Sequence, residues 1–249
     1  MTMPRPRLTA ILITRDEARD LAACLDSVSF CDEIVVVDNG STDATVEIAR
    51  DHGARVVVTA DWPGFGPQKQ RALDLATGDW ILSIDADERI PADLRRDILA
   101  ALDASAAGFR INRRTDFLGR TLSHGGWYPD RVLRLARRDK ARFTPDVVHE
   151  QLLVDGPVGD LPSDMLHHSY RSIADLLEKQ RRYALASAAR RRGEGRSGGL
   201  AIAIARSAWT FLRLYGLKAG FLDGAHGFVA AAAKAQETFW RYLAVGWER

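Results

Sequence analysis

Residues 81–90 read ILSIDADERI, an apolar run that ends in three carboxylates, Asp85, Asp87 and Glu88. Carboxylates crowded this closely repel one another and raise each other's pKa. A fold accepts that cost most readily where a cation or a reaction needs the acids. The competing structural reading is a solvated acidic strand end that opens a helix, with Asp87 or Glu88 favouring the helix N-terminus. Two further polar clusters follow apolar runs in the same way. Asp38 ends EIVVVD, and Thr14, Arg15 and Glu17 follow LTAILI. A second group of chemically capable side chains, His149 and Glu150, lies in VHEQL at 148–152.

These clusters need a scaffold, and the pattern supplies one. LTAILIT, EIVVVD, RVVVT at 55–59 and residues 80–85 are short apolar runs rich in strand formers. Each is followed by a segment at helical spacing: residues 15–28, TVEIARDH, QKQRALDLAT and PADLRRDILAALD. Ser41 or Thr42 in NGSTD would cap the second helix, Gly53 and Gly78 would close the second and third, and Pro91 suits the first turn of the fourth. Continuous apolar strands alternating with helices argue for a parallel sheet covered on both faces. In such sheets ligands sit beyond the carboxyl ends of the strands, where all three polar clusters fall. From 105 to 165 the pattern shifts to short antiparallel strands with turns. Ser172, with Asp175 three residues on, opens a helix to about Arg192. GEGRSGG breaks the chain at 193–199, and residues 200–215 and 217–245 read as helices interrupted by Gly216, Gly220, Gly224 and Gly227.

The chain of 249 residues suits one large α/β domain, or one domain with an appendage. Its net charge of +2 hides an asymmetry. Residues 1–170 carry 21 Lys and Arg against 27 Asp and Glu, whereas residues 171–249 carry 14 against 6. By charge alone the basic tail suits an anionic partner such as phospholipid or nucleic acid, or is a solvated helix face. Cys24 and Cys31 match no metal spacing and read as reduced thiols of a cytosolic protein. No apolar stretch approaches the length of a spanning helix, and the first residues lack a signal-peptide pattern.

Four motifs in order, TRDE at 14–17, VVVDNGSTD at 35–43, GFGPQKQRALDLATGDWILSIDADE at 64–88 and VHEQL at 148–152, resemble the family 2 glycosyltransferases of GT-A fold. Within that family they are similar to the lipopolysaccharide-core β-1,4-glucosyltransferase group. The resemblance implies a Rossmann-like, mostly parallel mixed sheet over residues 1–170 and a helical extension over 171–249. It implies an inverting, metal-dependent enzyme that moves a hexose, glucose foremost, from a nucleoside diphosphate sugar, UDP foremost. The acceptor would be a membrane-associated glycan such as lipopolysaccharide inner core, a polyprenyl-linked glycan or another envelope glycan; a degenerate sugar-nucleotide binder is the non-enzymatic reading. No nucleic acid partner is implied.

The resemblance also distributes roles. Asp85-Ala86-Asp87 is the DxD element, with Asp87 on a Mg²⁺ or Mn²⁺ ion and Asp85 facing the ribose or a metal-bound water. Asp38 would accept from the nucleobase, although Asp38-Asn39-Gly40 is equally a good turn. Thr14, Arg15 and Glu17 match the TxNE element beside the nucleoside, with Asp16 in place of the usual Asn. Gln68 and Lys69 would approach the diphosphate or sugar, an ordinary surface lysine being the alternative. Glu150 is the candidate base and His149 a metal or phosphate neighbour, with the roles exchangeable. Asp130 is the second candidate base, Arg131 a sugar or phosphate contact, and Trp127 and Tyr128 candidate stacking platforms or core packing. One of His167 and His168 could complete a metal shell. Asp87 is followed by Glu88-Arg89, unlike the aspartate-nucleophile phosphatases, and the first loop lacks the Gly-rich arginine element of nucleotidyltransferases. In the tail, Arg206, Thr210 and Arg213 share a stripe amid aromatic and aliphatic residues. That suits peripheral contact with the cytoplasmic face of the inner membrane, or a helical hairpin packed on protein.

Overall fold

The structure is a computed structural model and describes residues 5–146 and 150–248. The chain divides into two compact units. The first comprises Met1–Arg113 and Arg131–His167, the second Arg114–Asp130 and His168–Arg249. The division falls inside two long strands.

In chain order the elements are β1 (Leu8–Thr14), α1 (Ala18–Ser27), β2 (Glu33–Asp38), α2 (Thr45–Asp51), β3 (Arg55–Val58), α3 (Phe65–Leu75), β4 (Trp80–Ser83), β5 (Glu88–Arg89) and α4 (Ala92–Ala101). Then come β6 (Gly108–Phe117), β7 (Arg120–Thr121), β8 (Arg131–Arg137), β9 (Ala141–Phe143), β10 (Leu152–Val154) and β11 (Val158–Tyr170). The helices α5 (Ile173–Gly193), α6 (Leu200–Phe211) and α7 (Gly224–Trp247) follow. Among the described residues the main sheet has the order β3-β2-β1-β4-β8-β6-β11-β5, with β7 hydrogen-bonded to β6 and a separate β9–β10 hairpin. The first four strands are parallel, and β8 joins β4 antiparallel.

Strand alternation explains why the parallel half is covered on both sides. Leu8, Ala10 and Leu12 of β1, with Trp80 and Leu82 of β4, pack on Leu21 and Leu25 of α1 and Leu94 and Ile98 of α4. Ile11 and Ile81, on the opposite face, pack on Ala72 and Leu73 of α3 and on Phe143 and Leu152 of the β9–β10 hairpin. Cys24 is buried in the first of these layers, and both cysteines are unpaired thiols. Burial pushes the Cys31 thiol up to about 12 and Cys24 further in the same direction.

Three local expectations are corrected by the turns. β4 stops at Ser83, and residues 85–88 form a turn in which Glu88 N donates to Asp85 O at 2.9 Å. Glu88 then starts β5, paired with β11, instead of leading into a helix. Ser41 and Thr42 do not cap α2. Ser41 Oγ, Thr45 Oγ1 and an Asp43 carboxylate oxygen accept from the backbone N–H groups of Asp16, Glu17 and Ala18, at 2.8, 2.8 and 3.1 Å. The loop after β2 therefore satisfies the orphan donors around the start of α1. The cap at Ser172 is present as expected, its hydroxyl accepting from Asp175 N at 3.0 Å.

One close approach joins α3 to the chain after β9. A Cβ on Gly66 would lie 2.0 Å from Thr144 O, and Gly66 N donates to Asp146 O at 3.1 Å. Phe143 N is tied to Gln70 Oε1 at 2.8 Å, and Thr144 N to Gln151 O at 2.9 Å. Residues 144–146 are thus pressed onto the first turns of α3. Gly66→Ala is expected to lower stability by about 1–3 kcal/mol through overpacking. A urea titration checks this as a fall in midpoint at unchanged slope.

Candidate active site

The acidic turn after β4 is built into a knot of opposite charges, all within the first unit. The register that sets Leu82 of β4 opposite Leu135 of β8 brings Arg134 to the carboxyl end of β4. Arg134 Nη2 lies 2.6 Å from Asp85 Oδ2 and 2.5 Å from Glu88 Oε1. Glu88 is fully buried, and its other oxygen accepts from Asp85 N at 2.9 Å. Arg113 Nη1 approaches Glu88 Oε1 at 3.8 Å. From α3, Lys69 Nζ reaches Asp85 Oδ1 at 3.0 Å and Glu150 Oε1 at 2.9 Å. The β5–β11 pairing sets His167 opposite Glu88 and brings His167 Nε2 to 3.5 Å from Asp87 Oδ2.

The electrostatics follow from these contacts. Burial opposes the charge on Asp85, but Arg134 and then Lys69 outweigh it and hold the carboxyl well below the usual carboxylate range. Burial would also strip the proton from Lys69, yet Asp85, with Glu150 beside it, keeps the ammonium above its ordinary value. Glu88 is pushed up by burial, which Arg134 only partly offsets and Asp85 reinforces. Arg134 keeps its charge although burial opposes it, because Asp85 and Glu88 flank it. Its Nε is buried with no hydrogen-bond partner among the described residues, so the arginine is held for its contacts at Nη2 rather than for ideal solvation.

The residues singled out in the sequence are not all brought together. Asp85, Lys69 and Glu150 form one connected chain, and Asp87 adjoins it with His167. Asp85 and Asp87 lie in a turn instead of an extended strand; Asp85 meets Lys69 and Arg134, and Asp87 meets His167. Ala86 is buried and its carbonyl accepts from Arg89 Nη1 at 2.8 Å. Asp38 is fully buried instead of lying exposed at the strand end. Its carboxylate accepts from Thr14 Oγ1 at 2.9 Å, Ser41 N at 2.8 Å and Ser41 Oγ at 2.5 Å. Asp16 stands at φ 54°, a left-handed conformation that Asp and Asn tolerate, and accepts from Thr42 N at 2.7 Å. Arg15 is exposed beside it, and Glu17 precedes α1. Gln68 is buried, donating to Thr59 Oγ1 at 2.8 Å and accepting from Arg71 at 3.0 Å. Arg131 is exposed and 3.5 Å from Asp160. Asp130, Trp127 and Tyr128 belong to the second unit, where Trp127 packs on Phe117 and Tyr170. His168 lies 3.8 Å from Asp116 in the same unit. His149 lies outside the described residues.

No three His, Cys, Asp or Glu side chains gather as a metal-binding group among the described residues. Both Asp85 oxygens face cationic side chains. Asp87 and His167 stand as an adjacent oxygen and nitrogen donor pair. A hard divalent cation that takes its other ligands from phosphate and water needs no more than one or two such protein groups, so the pair fits Mg²⁺ or Mn²⁺.

Residues 9–150 match the family model described as glycosyl transferase family 2. The chain belongs to this family. It is 32% identical over 251 residues to a lipopolysaccharide core biosynthesis glycosyltransferase, LpsC, of Rhizobium meliloti, covering 95% of this chain and 91% of the relative. An uncharacterized glycosyltransferase of Rickettsia typhi is 27% identical, with 94% and 85% covered. Residues 1–349 of Staphylococcus aureus TarS, solved with UDP-GlcNAc, match in fold with a TM-score of 0.51 at 15% identity, covering 94% of this chain and 81% of that one. The fold is GT-A with a helical C-terminal region, and the protein is a glycosyltransferase.

Two residues that shape the site are not among the candidates read from the sequence. Arg134 is an arginine between Leu133 and Leu135 in RVLRLAR, and a charge inside an apolar strand is a usable signal. Glu88 reads in the sequence only as a member of the acidic run. Arg134→Gln would leave the fully buried Glu88 without its main cation, and Asp85 with Lys69 alone, and a loss of about 3–5 kcal/mol at neutral pH is expected. The sign of its pH dependence is a further check. In the native protein the lowered Asp85 pKa stabilises the fold above about pH 4 and is lost as the pH falls through the lowered value. Without the arginine Glu88 loses the cation that offsets its burial and is raised further, so the variant should regain more stability on acidification from neutrality towards about pH 5 than the native protein, in which Glu88 is already raised. Thermal or urea unfolding across that range reads the difference.

Proposed function

We propose that the chain is an inverting, metal-dependent hexosyltransferase using a UDP-sugar, UDP-glucose foremost, and a membrane-associated glycan such as lipopolysaccharide inner core as acceptor. The supporting observation is the chain Asp85–Lys69–Glu150, with contacts of 3.0 and 2.9 Å, which ties the DxD turn to the candidate base. The similarity to LpsC over most of both chains supports the acceptor class.

In this reading the acceptor hydroxyl attacks the anomeric carbon of the donor, the bond to the nucleoside diphosphate breaks, and Glu150 takes the hydroxyl proton. Asp87 and His167 would hold a Mg²⁺ or Mn²⁺ ion, which when bound neutralises charge on the departing diphosphate. Lys69, kept as the ammonium by its two acidic neighbours, holds Glu150 against the turn and places a positive charge beside the leaving group. Arg134 fixes Asp85 and Glu88, and the turn framed by these two acids sets Asp87 beside the His167 ring. Asp38 acts as a positioning residue. Its three accepted hydrogen bonds fix the end of β1 and the loop after β2, against which the nucleoside would lie.

Asp87→Ala should abolish the Mn²⁺-dependent part of UDP binding, measured by calorimetry with and without the metal. Glu150→Gln should leave UDP affinity within about threefold and lower transfer by about 10²–10⁴-fold, the range for a positioned base. Unchanged transfer in the second variant would discard Glu150 as the base. UDP binding indifferent to both metal and Asp87 would discard the metal site.

A further inference from the structure

The second unit contains a rigid corner whose large apolar side chains face solvent. Between α6 and α7 the chain forms a π-helical turn, Leu212–Leu217, and a 3-10 turn, Gly220–Asp223. Phe211, Tyr215, Phe221 and Phe228 meet ring to ring there, at centroid distances of 5.3 to 6.3 Å. Around this cluster Leu217 is 68% exposed, and Leu212, Phe221, Leu222 and Phe228 are each about half exposed.

The corner is braced from behind. Asp223 is buried and its carboxylate accepts from Ser123 N at 3.1 Å, His124 N at 2.8 Å and the His124 ring at 3.0 Å. Gly125 N donates to Lys218 O at 2.9 Å. Gly227 packs so closely on Gly220 O that a Cβ would stand 1.9 Å from it. The exposed leucines and phenylalanines are therefore held in place on an ordered scaffold. A contiguous apolar patch of this kind on a folded surface marks an interaction site.

Charge selects the partner. From Gly199 to Lys234 the sequence holds one carboxylate, Asp223, which is buried and bonded. The charged side chains exposed there, Arg206, Arg213, Lys218 and Lys234, are all basic. Arg213 and Lys218 lie within or directly beside the π turn, among the exposed leucines. Apolar side chains that can enter the acyl boundary, with Arg213 and Lys218 beside them, complement an anionic bilayer surface; Lys234, further along α7, is paired with Glu237 at 2.8 Å. No described helix is long and apolar enough to cross a membrane, which fits a corner lying in the interface. We infer that this corner, led by Leu217, Phe221 and Leu222 with Arg213 and Lys218, docks the protein on an anionic lipid surface. The inference goes beyond the acceptor assignment and is carried by the corner alone.

Cosedimentation of the full chain with vesicles tests it. The native protein should bind vesicles of phosphatidylglycerol and phosphatidylcholine in equal parts, and bind pure phosphatidylcholine much more weakly. The combined variant Leu217→Ser, Phe221→Ser, Leu222→Ser should weaken binding by about tenfold or more. Arg213→Glu with Lys218→Glu should weaken it by about tenfold or more on the anionic vesicles only. Phe221→Trp should show a blue-shifted emission on the anionic vesicles. A separate apolar groove of the second unit, about 490 Å³ and lined by Leu177, Leu185, Trp240 and Trp247, gives the control. Trp240→Ala with Trp247→Ala should bind vesicles as the native protein does. The inference fails if the native protein ignores both vesicle types, if the serine variant binds undiminished, or if the groove variant is the one that loses binding. It also fails if the corner proves to be a subunit interface, seen as a dimer that the serine substitutions dissociate. Hydrolysis of the donor without vesicles should be unchanged in every corner variant, so failure here is distinguishable from failure of Glu150→Gln or Asp87→Ala.

Discussion

A buried guanidinium decides whether the acidic turn after β4 can exist. Three carboxylates in four residues would repel one another, and Glu88 lies wholly inside the protein. Arg134 meets two of them through one nitrogen, and Lys69 meets Asp85 from the other side. Such an arrangement is poor evidence for stability, since apolar side chains of the same volume would fill the space at lower cost. Its effect is positional: Asp85 and Glu88 are fixed at the end of a parallel strand, and the turn between them projects Asp87 towards His167. The short pairing of β5 with β11 completes the constraint, because it starts at Glu88 itself.

The same logic extends to residues far away in sequence. Glu150 follows Lys69 by 81 positions, and the pressing of residues 144–146 onto α3 brings it within reach. Gly66 permits that approach, since any side chain there would meet the Thr144 carbonyl. In the sequence GFGP at 64–67 stands before Gln68 and Lys69, the residues expected near the diphosphate or sugar. In the structure Gly66 lies in the first turn of α3 and serves packing, and that packing in turn serves the site.

How legible was this from sequence? The parallel strands were, because each is a continuous apolar run flanked by helical spacing, and their carboxyl ends correctly marked where the polar groups collect. The antiparallel additions were legible only as a change of pattern, since β8 and β11 acquire meaning through register, which no local signal encodes. Arg134 and His167 enter the site by that register. The loop after β2 misleads for a related reason. Ser41 and Thr45 have the chemistry of a local cap but cap across to α1, and Asp43 does both, accepting from Thr45 N at 3.0 Å and from Ala18 N; contacts about 25 residues distant in the chain are what propensity cannot weigh.

Exposure then separates carboxylates that frame the site from those able to act in it. Asp38 and Glu88 are fully buried, with their oxygens committed to hydrogen bonds or arginine. Asp85, Asp87 and Glu150 retain side-chain exposures of 33, 22 and 17%. A ligand can reach only the second set, and within it Asp85 already has a cation at each oxygen. Asp87 neighbours an imidazole, which as a neutral ring is itself a metal donor, and Glu150 is held by an ammonium that leaves its carboxylate in contact with solvent. An acid that keeps fixed neighbours and still meets solvent can take up a cation or a proton without rearranging the fold around it, which is what preorganised catalysis requires. The proposed assignment of metal and base to these two thus rests on accessibility and neighbouring charge as well as on their places in the motifs.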